Sequence, residues 1–370
     1  MKLAFALFKY FPYGGLQKDM WRIAHACVSL GHEVEIFCGL WQGDRPATIA
    51  VHVLGKSGLS NHTKNRRFAE GLAAALTGQG FDRVVGFDKL PGLDWYYAAD
   101  SCFKTKVEQR GWLYRHSPRA KHFLACEEAV FSPCSTTELL MISASEMAAY
   151  QQSYGTVAER FHLLPPGISR DRIAGADANE RAATARVGLG VKDDEKLLLM
   201  VGSGFKTKGV DRAITALAAL AEDQRQRVKL KIAGQDKPAR YLALAKKLGV
   251  EASVEFLGGR DDVPELLLAA DLLIHPAYRE NTGTVLLEAM VAGTPVLTTA
   301  VCGYAHYITD YQMGAVVASP FSADALQQQL ARLLFAEPVD WFGRAQHFAT
   351  TADIYSMPER AATLITAGGA

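Results

Sequence analysis

The sequence predicts an α/β protein of two Rossmann-like domains, each a parallel sheet wrapped by helices, facing each other across a cleft. Three observations lead there. Short apolar strands alternate with helical segments twice over, the pattern of parallel sheets buried on both faces. Glycine-rich loops follow the first strand of each half and open helices, as nucleotide-binding loops do. Between the halves, Leu163-Leu164-Pro165-Pro166-Gly167-Ile168 places two prolines and a glycine in a stiff turn suited to a hinge. The expected domains are residues 1–165 and 166–350, with a C-terminal helix at about 351–370 packing back on the first.

Leu3–Phe8 is the first predicted strand. Its apolar run is too short for a secretory signal, and Lys9 follows without a small-residue cleavage site. A glycine loop and a helix from about Leu16 to Leu30 come next, capped by Gly31 and followed by a strand at Glu33–Cys38. Further strands are predicted at Ala50–Leu54, Arg83–Phe87, Trp95–Ala99 and Glu138–Ile142. The last runs into a helix through Ser143-Ala144-Ser145-Glu146, spaced as a capping box. In the second half the expected strands are Leu197–Val201, Lys229–Ala233, Val254–Leu257, Leu272–His275 and Val296–Thr299. The small, polar stretch Ala174–Ala185 reads as a loop and the start of a helix.

A chain of 370 residues suits two such domains. Its 49% hydrophobic and 21% charged content is that of an ordinary globular protein. A net charge of +1 provides no global field for nucleic acid. The six cysteines (Cys27, Cys38, Cys102, Cys126, Cys134, Cys302) form no C-x-x-C pair and read as reduced thiols of a cytoplasmic protein. No apolar stretch approaches the ~20 residues of a membrane-spanning helix.

The most informative stretch is Glu280-Asn281-Thr282-Gly283-Thr284-Val285-Leu286-Leu287-Glu288-Ala289-Met290. A loop carboxylate, a glycine and a helix bearing a second carboxylate converge on one small volume. Gly293 and Pro295 end that helix. The free amides at Gly283, Thr284, Val285 and Leu286 can bind phosphate oxygens, and Gly283 lets a ligand approach. Glu280 can then reach a sugar and Glu288 a ribose. An acidic helix start beside a solvated loop acid accounts for the same pair.

Three further motifs bear on the choice. Tyr10-Phe11-Pro12-Tyr13-Gly14-Gly15-Leu16-Gln17 brings the amides of Gly14 and Gly15 toward a diphosphate, although a plain tight turn also explains it. Asp19, one turn on, can bond a sugar hydroxyl or simply complement the helix dipole. Val201-Gly202-Ser203-Gly204-Phe205-Lys206-Thr207-Lys208-Gly209-Val210-Asp211 permits close approach at Gly202 and supplies a charge from Lys208, with Lys206 a weaker candidate. It lacks Walker A spacing. Arg172, after the hinge, can bind phosphate in bidentate fashion or pair with Asp171. Arg172, Lys208 and the Gly283 helix end can together stabilise a departing nucleoside diphosphate. No D-x-D triplet or His/Cys cluster suggests a metal, so no obligatory cofactor is expected.

These motifs resemble the retaining glycosyltransferases of family 4, which have the GT-B fold. Glu280 and Glu288 have that family's E-x7-E spacing, and Ala289-Met290-Val291-Ala292-Gly293-Thr294-Pro295-Val296 resembles its continuation. Gly14-Gly15, Lys208-Gly209 with Asp211, and Pro166-Gly167 fall at its donor loop, phosphate lysine and hinge. A closer likeness, to the lipopolysaccharide core glucosyltransferases of Gram-negative bacteria, rests on Phe8-Lys9-Tyr10-Phe11-Pro12, Val85-Gly86-Phe87 with Leu90-Pro91-Gly92-Leu93-Asp94, and Val301-Cys302-Gly303-Tyr304-Ala305-His306-Tyr307-Ile308. The resemblance implies transfer of glucose from UDP-glucose to an inner-core heptose in an α-1,3 linkage. It assigns Glu280 and Lys208 to catalysis, Glu288 to the ribose, Lys208 and Arg172 to the diphosphate, and Arg260 to the loop framing uracil. Asp100, ending a strand, is an acceptor-side candidate or an ordinary strand-end turn residue. Retention without an obvious nucleophile suggests same-face substitution. Asn281-Thr282 departs from the common E-P-F-G form and leaves the hexose open. A sugar-nucleotide epimerase and a non-catalytic membrane-docked sugar-binding protein are the competing readings.

Residues 103–131 are set apart by composition. Lys104, Lys106, Arg110, Arg115, Arg119 and Lys121 are interleaved with Phe103, Trp112, Leu113, Tyr114, Phe123 and Leu124. Such a segment lies on an anionic membrane, or forms a solvated helix pair with an inward apolar stripe. The lipid-linked acceptor that the resemblance implies fits the membrane reading, and the expected location is the cytoplasmic face of the inner membrane.

Overall fold

The run Leu3-Ala4-Phe5-Ala6-Leu7 is almost entirely buried because it lies inside a parallel sheet covered on both faces. In the computed structural model, which describes residues 1–12, 14–45, 48–55, 57–336 and 339–367, the chain forms two units. The first comprises Met1–Gly167 with the stretch from Tyr355 onward, and the second Ile168–Ile354.

The first unit holds seven strands: β1 (Lys2–Tyr10), β2 (Glu33–Trp41), β3 (Ala50–Val53), β4 (Arg83–Gly86), β5 (Trp95–Ala98), β6 (Glu138–Met141) and β7 (Phe161–Leu163). They pair in parallel in the order β3-β2-β1-β4-β5-β6-β7. Side chains alternate across a strand. Leu3, Phe5 and Leu7 therefore pack with Met20, Ile23, Ala24 and Cys27 of the helix Gly15–Ser29, while Ala4 and Ala6 meet Phe68, Leu72 and Phe131. The helix Met357–Thr366 adds Met357, Ala361, Ala362 and Ile365 to the first of these layers.

The second unit holds β8 (Lys196–Val201), β9 (Val228–Ala233), β10 (Val254–Gly258), β11 (Leu272–His275), β12 (Val296–Thr299) and β13 (Gly314–Val317). Their parallel order is β10-β9-β8-β11-β12-β13. Both sheets reverse strand order at one point, between β1 and β4 and between β8 and β11. Open α/β sheets bind ligands beyond the carboxyl ends of the strands that flank such a point. In this unit the loops after β8 and β11 flank that point.

The observed strands agree with the expected ones to within one to three residues at their ends, and two were not anticipated. β7 is three residues long and runs into the Leu164-Pro165 turn, so the turn signal hides it. β13 begins at Gly314, whose φ of +141° and close approach to the Val296 backbone demand a residue without a side chain. Gly31, with φ +86°, ends the first helix as expected. Ser143 accepts from the Glu146 amide, the first half of the expected capping box, and the Glu146 carboxylate accepts from the Cys102 amide. All six cysteines are unpaired, and only Cys134 is exposed. Among the described residues no helix is long and apolar enough to cross a membrane.

Candidate active site

The loop after β8 is bent by its glycines. Gly204 adopts φ +77° at the start of a single helical turn, Phe205–Lys208, and Gly209 adopts φ +78° at its end. A β-carbon on Gly209 would collide with the Pro276 carbonyl. That contact seats the loop against the chain leaving β11. Backbone bonds complete the join: the Tyr278 amide donates to the Thr207 carbonyl at 2.8 Å. From the other side, Glu280 bridges to Cys302 as a strand would, and the Tyr304 amide donates to Thr282 at 2.9 Å. Gly303 is required there, because a side chain would meet the Asn281 carbonyl.

The result brings Lys208 onto Glu280. The Lys208 ammonium donates to Glu280 Oε2, and His275 Nε2 lies 3.1 Å from the same oxygen. Burial pushes the Glu280 carboxyl up, but the His275 hydrogen bond and the Lys208 charge outweigh it and hold the group at about 2. Gly283, φ +93°, opens the helix Thr284–Val291, and a β-carbon there would stand 3.4 Å from Glu280 Cγ. Glu288 lies one turn along that helix. Arg172 Nε stands 3.6 Å from Glu288 Oε1 and 3.6 Å from Asp171 Oδ1. The Ala174 amide donates to the Val291 carbonyl, which holds the Arg172 turn along the helix. Lys208 with Glu280 and Arg172 with Glu288 are thus two cation–carboxylate pairs of the second unit built from residues singled out in the sequence.

The other expected residues of this unit differ in exposure and place. Leu286 is fully buried and its amide donates to Gly283, so neither its side chain nor its N–H is available to a donor. Thr284 is exposed and Val285 half-buried. Lys206 points to solvent. Gly202, with φ +138°, is pinned beside Gly234, whose β-carbon would strike the Gly202 carbonyl, and it lies against the Lys208 stem, where a β-carbon on Gly202 would stand 3.6 Å from Lys208 Cε. Arg260 makes a bidentate pair with Asp262 and lines a cavity of about 530 Å³ with Asp177, Arg181 and Glu265, sharing no residue with the Lys208–Glu280 cluster.

In the first unit, Gly14 leaves room only for the Gln17 side chain, which donates to the Lys9 carbonyl at 2.9 Å. Gly15 opens the helix into free space, and Tyr13 lies outside the described residues. Both Asp19 oxygens are engaged, one by Arg22 and the other by Tyr97 at 2.8 Å. Burial raises the Asp19 carboxyl despite these partners.

Asp100 follows β5. Tyr96 donates to one of its oxygens at 2.6 Å and Lys89 to the other at 3.0 Å. It lines a cavity of about 410 Å³ with Asp88, Lys89, Phe87, Phe103, Arg119 and Phe123. Burial drives the Asp88 carboxyl up to about 6 although it accepts from the Phe8 amide. Lys89 also reaches Glu127, a fully buried acid that accepts from the Phe103 and Lys104 amides and the Tyr154 hydroxyl. Sequence reasoning passed over Asp88, Lys89, Glu127 and His275. Asp88 and Lys89 follow β4, His275 ends β11 and Glu127 lies within Pro118–Phe131, and none of these places marks a site in the sequence.

The basic segment is three helices, Phe103–Glu108, Trp112–Arg115 and Pro118–Phe131. Trp112 is 70% and Leu113 73% exposed, with Arg110, Arg115 and Lys121 also outward. Lys104 departs from the group, since its ammonium donates to Ser153 and lies over the Tyr154 ring. Arg119 is exposed yet borders the Asp100 cavity, over the Phe123 ring.

A family model described as glycosyl transferases group 1 matches residues 182–344. The chain is 47% identical to the lipopolysaccharide glucosyltransferase WaaG of Escherichia coli strain K12, over 100% of this chain and 99% of that protein. It is 27% identical to the uncharacterized glycosyltransferase MJ1607 of Methanocaldococcus jannaschii, over 96% and 94%. The crystal structure of WaaG, a glycosyltransferase involved in lipopolysaccharide biosynthesis, superposes with a TM-score of 0.93, covering 99% of this chain and 100% of that one. Anabaena Alr3699/HepE in complex with UDP and glucose shares the fold at 18% identity and a TM-score of 0.74, covering 99% of each chain.

Proposed function

This chain belongs to the group 1 glycosyl transferases, and from that premise we propose that it transfers glucose from UDP-glucose to a heptose of the lipopolysaccharide inner core, in an α-1,3 linkage. The observation that carries the reading is the ion pair of Lys208 with Glu280 beyond the ends of β8 and β11. A carboxylate that bonds sugar hydroxyls and a cation that meets a diphosphate stand side by side there. The full-length 47% identity to a lipopolysaccharide glucosyltransferase supports the substrate class.

In this account Glu280 receives a glucose hydroxyl and Glu288 the ribose. Lys208, Arg172 and the amides at the start of Thr284–Val291 take up the charge of the diphosphate as the bond from the anomeric carbon to its phosphate oxygen breaks. The acceptor oxygen bonds to the same face of the anomeric carbon, and its proton passes to the departing phosphate. These cations neutralise the leaving group, so a divalent ion is dispensable. Asp100 and its cavity belong to the acceptor side, with carboxylates for hydroxyls and Phe87, Phe103 and Phe123 for the apolar face of a ring.

The exposed Trp112, Leu113, Arg110, Arg115 and Lys121 hold the protein on an anionic membrane surface at the cytoplasmic face. The test is a transfer assay with purified heptose-terminated lipopolysaccharide and a panel of UDP-sugars, with and without a chelator. Glucose transfer dependent on both substrates and indifferent to the chelator is the expected result. Release of an altered nucleotide sugar without acceptor would point to an epimerase, and failure with UDP-glucose alone to another hexose.

A further inference from the structure

We propose that His275 is a positioning residue: its imidazole holds one oxygen of Glu280 so that the other faces a hydroxyl of the bound hexose. The inference rests on the reading that Glu280 contacts the donor sugar.

His275 is the last residue of β11 and is fully buried. Its carbonyl accepts from Thr298 Oγ1 at 2.9 Å, which ties its backbone to β12. An ionised carboxylate can only accept, so the proton of this 3.1 Å contact sits on Nε2. Lys208 donates to the same oxygen, Oε2. Among the described residues no hydrogen bond reaches Glu280 Oε1, and that atom is not among the sealed, unpartnered ones. One oxygen is held from two sides and the other is left free.

The two donors are not equivalent. Lys208 has a flexible stem and is assigned to the diphosphate, so donor binding draws it away from Glu280. His275 is fixed at the end of a core strand and stays. It is then the donor that keeps the carboxylate from rotating about its terminal bond.

Stability alone does not account for a histidine here. Its Nδ1 is buried with no hydrogen-bond partner among the described residues; a buried polar atom left unpaired costs stability, and a leucine at the end of this apolar strand has no such atom.

The test compares the affinities of UDP and UDP-glucose, by calorimetry, for the wild type, His275→Leu, His275→Met, His275→Gln and Glu280→Ala. UDP affinity reports a folded second unit, and the ratio of the two affinities reports the sugar contacts. Leu and Met at this position should reduce the ratio about fivefold, the scale of one hydrogen bond, with UDP affinity unchanged. Gln, whose amide can donate from a similar position, should restore it. A wild-type ratio in both the Leu and Met variants overturns the inference, as does failure of Gln to rescue. A wild-type ratio in Glu280→Ala overturns instead the donor reading beneath it.

Discussion

Lys208 and Glu280, 72 positions apart in sequence, meet as an ion pair beyond the ends of two neighbouring strands. The pair exists because Gly209 lets the loop after β8 touch the backbone after β11. The backbone thus brings the two positions together, and the side-chain rotamers complete the pair.

Gly209→Ala tests that dependence. The position has φ +78°, and a methyl group there would strike the Pro276 carbonyl. Strain and displacement together should cost about 2–4 kcal/mol, read as a lower urea midpoint, and transfer should fall in parallel. A wild-type midpoint would show that the loop accommodates a side chain and that the close approach is dispensable.

Asp88 supplies a pH dependence. Burial lifts its folded pKa from 3.8 to about 6. The folded state therefore binds the proton more tightly than the unfolded one. This contribution to stability is present below about 3.8 and is lost as pH rises through about 6. Asp88→Asn should remove it. The difference in unfolding free energy between wild type and variant should drift against the wild type from pH 4 to 6. Parallel profiles would contradict the raised carboxyl.

The sequence already showed the alternation of both sheets and four polar residues of the second unit: Arg172, Lys208, Glu280 and Glu288. These were legible because strand-ending glycine loops and the spacing of two glutamates are local patterns. His275, Asp88, Lys89 and Glu127 were not, because their significance comes from partners brought in by other strands or helices. Lys104 shows the converse. Its place in a basic stretch suggested the surface, but the packing of Phe103–Glu108 turns its ammonium to Ser153. Leu286 failed for a simpler reason: helix periodicity does not reveal which early amides the first turn has used.

Arg172 and Glu288 form a 3.6 Å pair, each about one-fifth exposed. If both serve the nucleotide, Arg172→Ala and Glu288→Ala should each raise the KM for UDP-glucose more than they lower kcat. A double-mutant cycle should show coupling of about 0.5–1 kcal/mol. Strictly additive effects would separate the two residues.

Vesicle binding should depend on Trp112, Leu113, Arg110, Arg115 and Lys121. Charge-neutralising and Trp112→Ala, Leu113→Ala variants should sediment poorly with anionic vesicles, and the wild type should be released as salt rises. Lys104→Ala should bind vesicles normally. Loss of binding on Lys104→Ala alone, or equal binding to neutral vesicles, would contradict this assignment.

The most direct test of the central claim is single-turnover glucose transfer by Glu280→Ala and Lys208→Ala, with thermal unfolding as the check on folding. Both variants should remain folded and lose at least about 100-fold in rate, the scale of removing one preorganised charge-stabilising group. A folded Glu280→Ala protein that transfers glucose at a near wild-type rate would contradict the account.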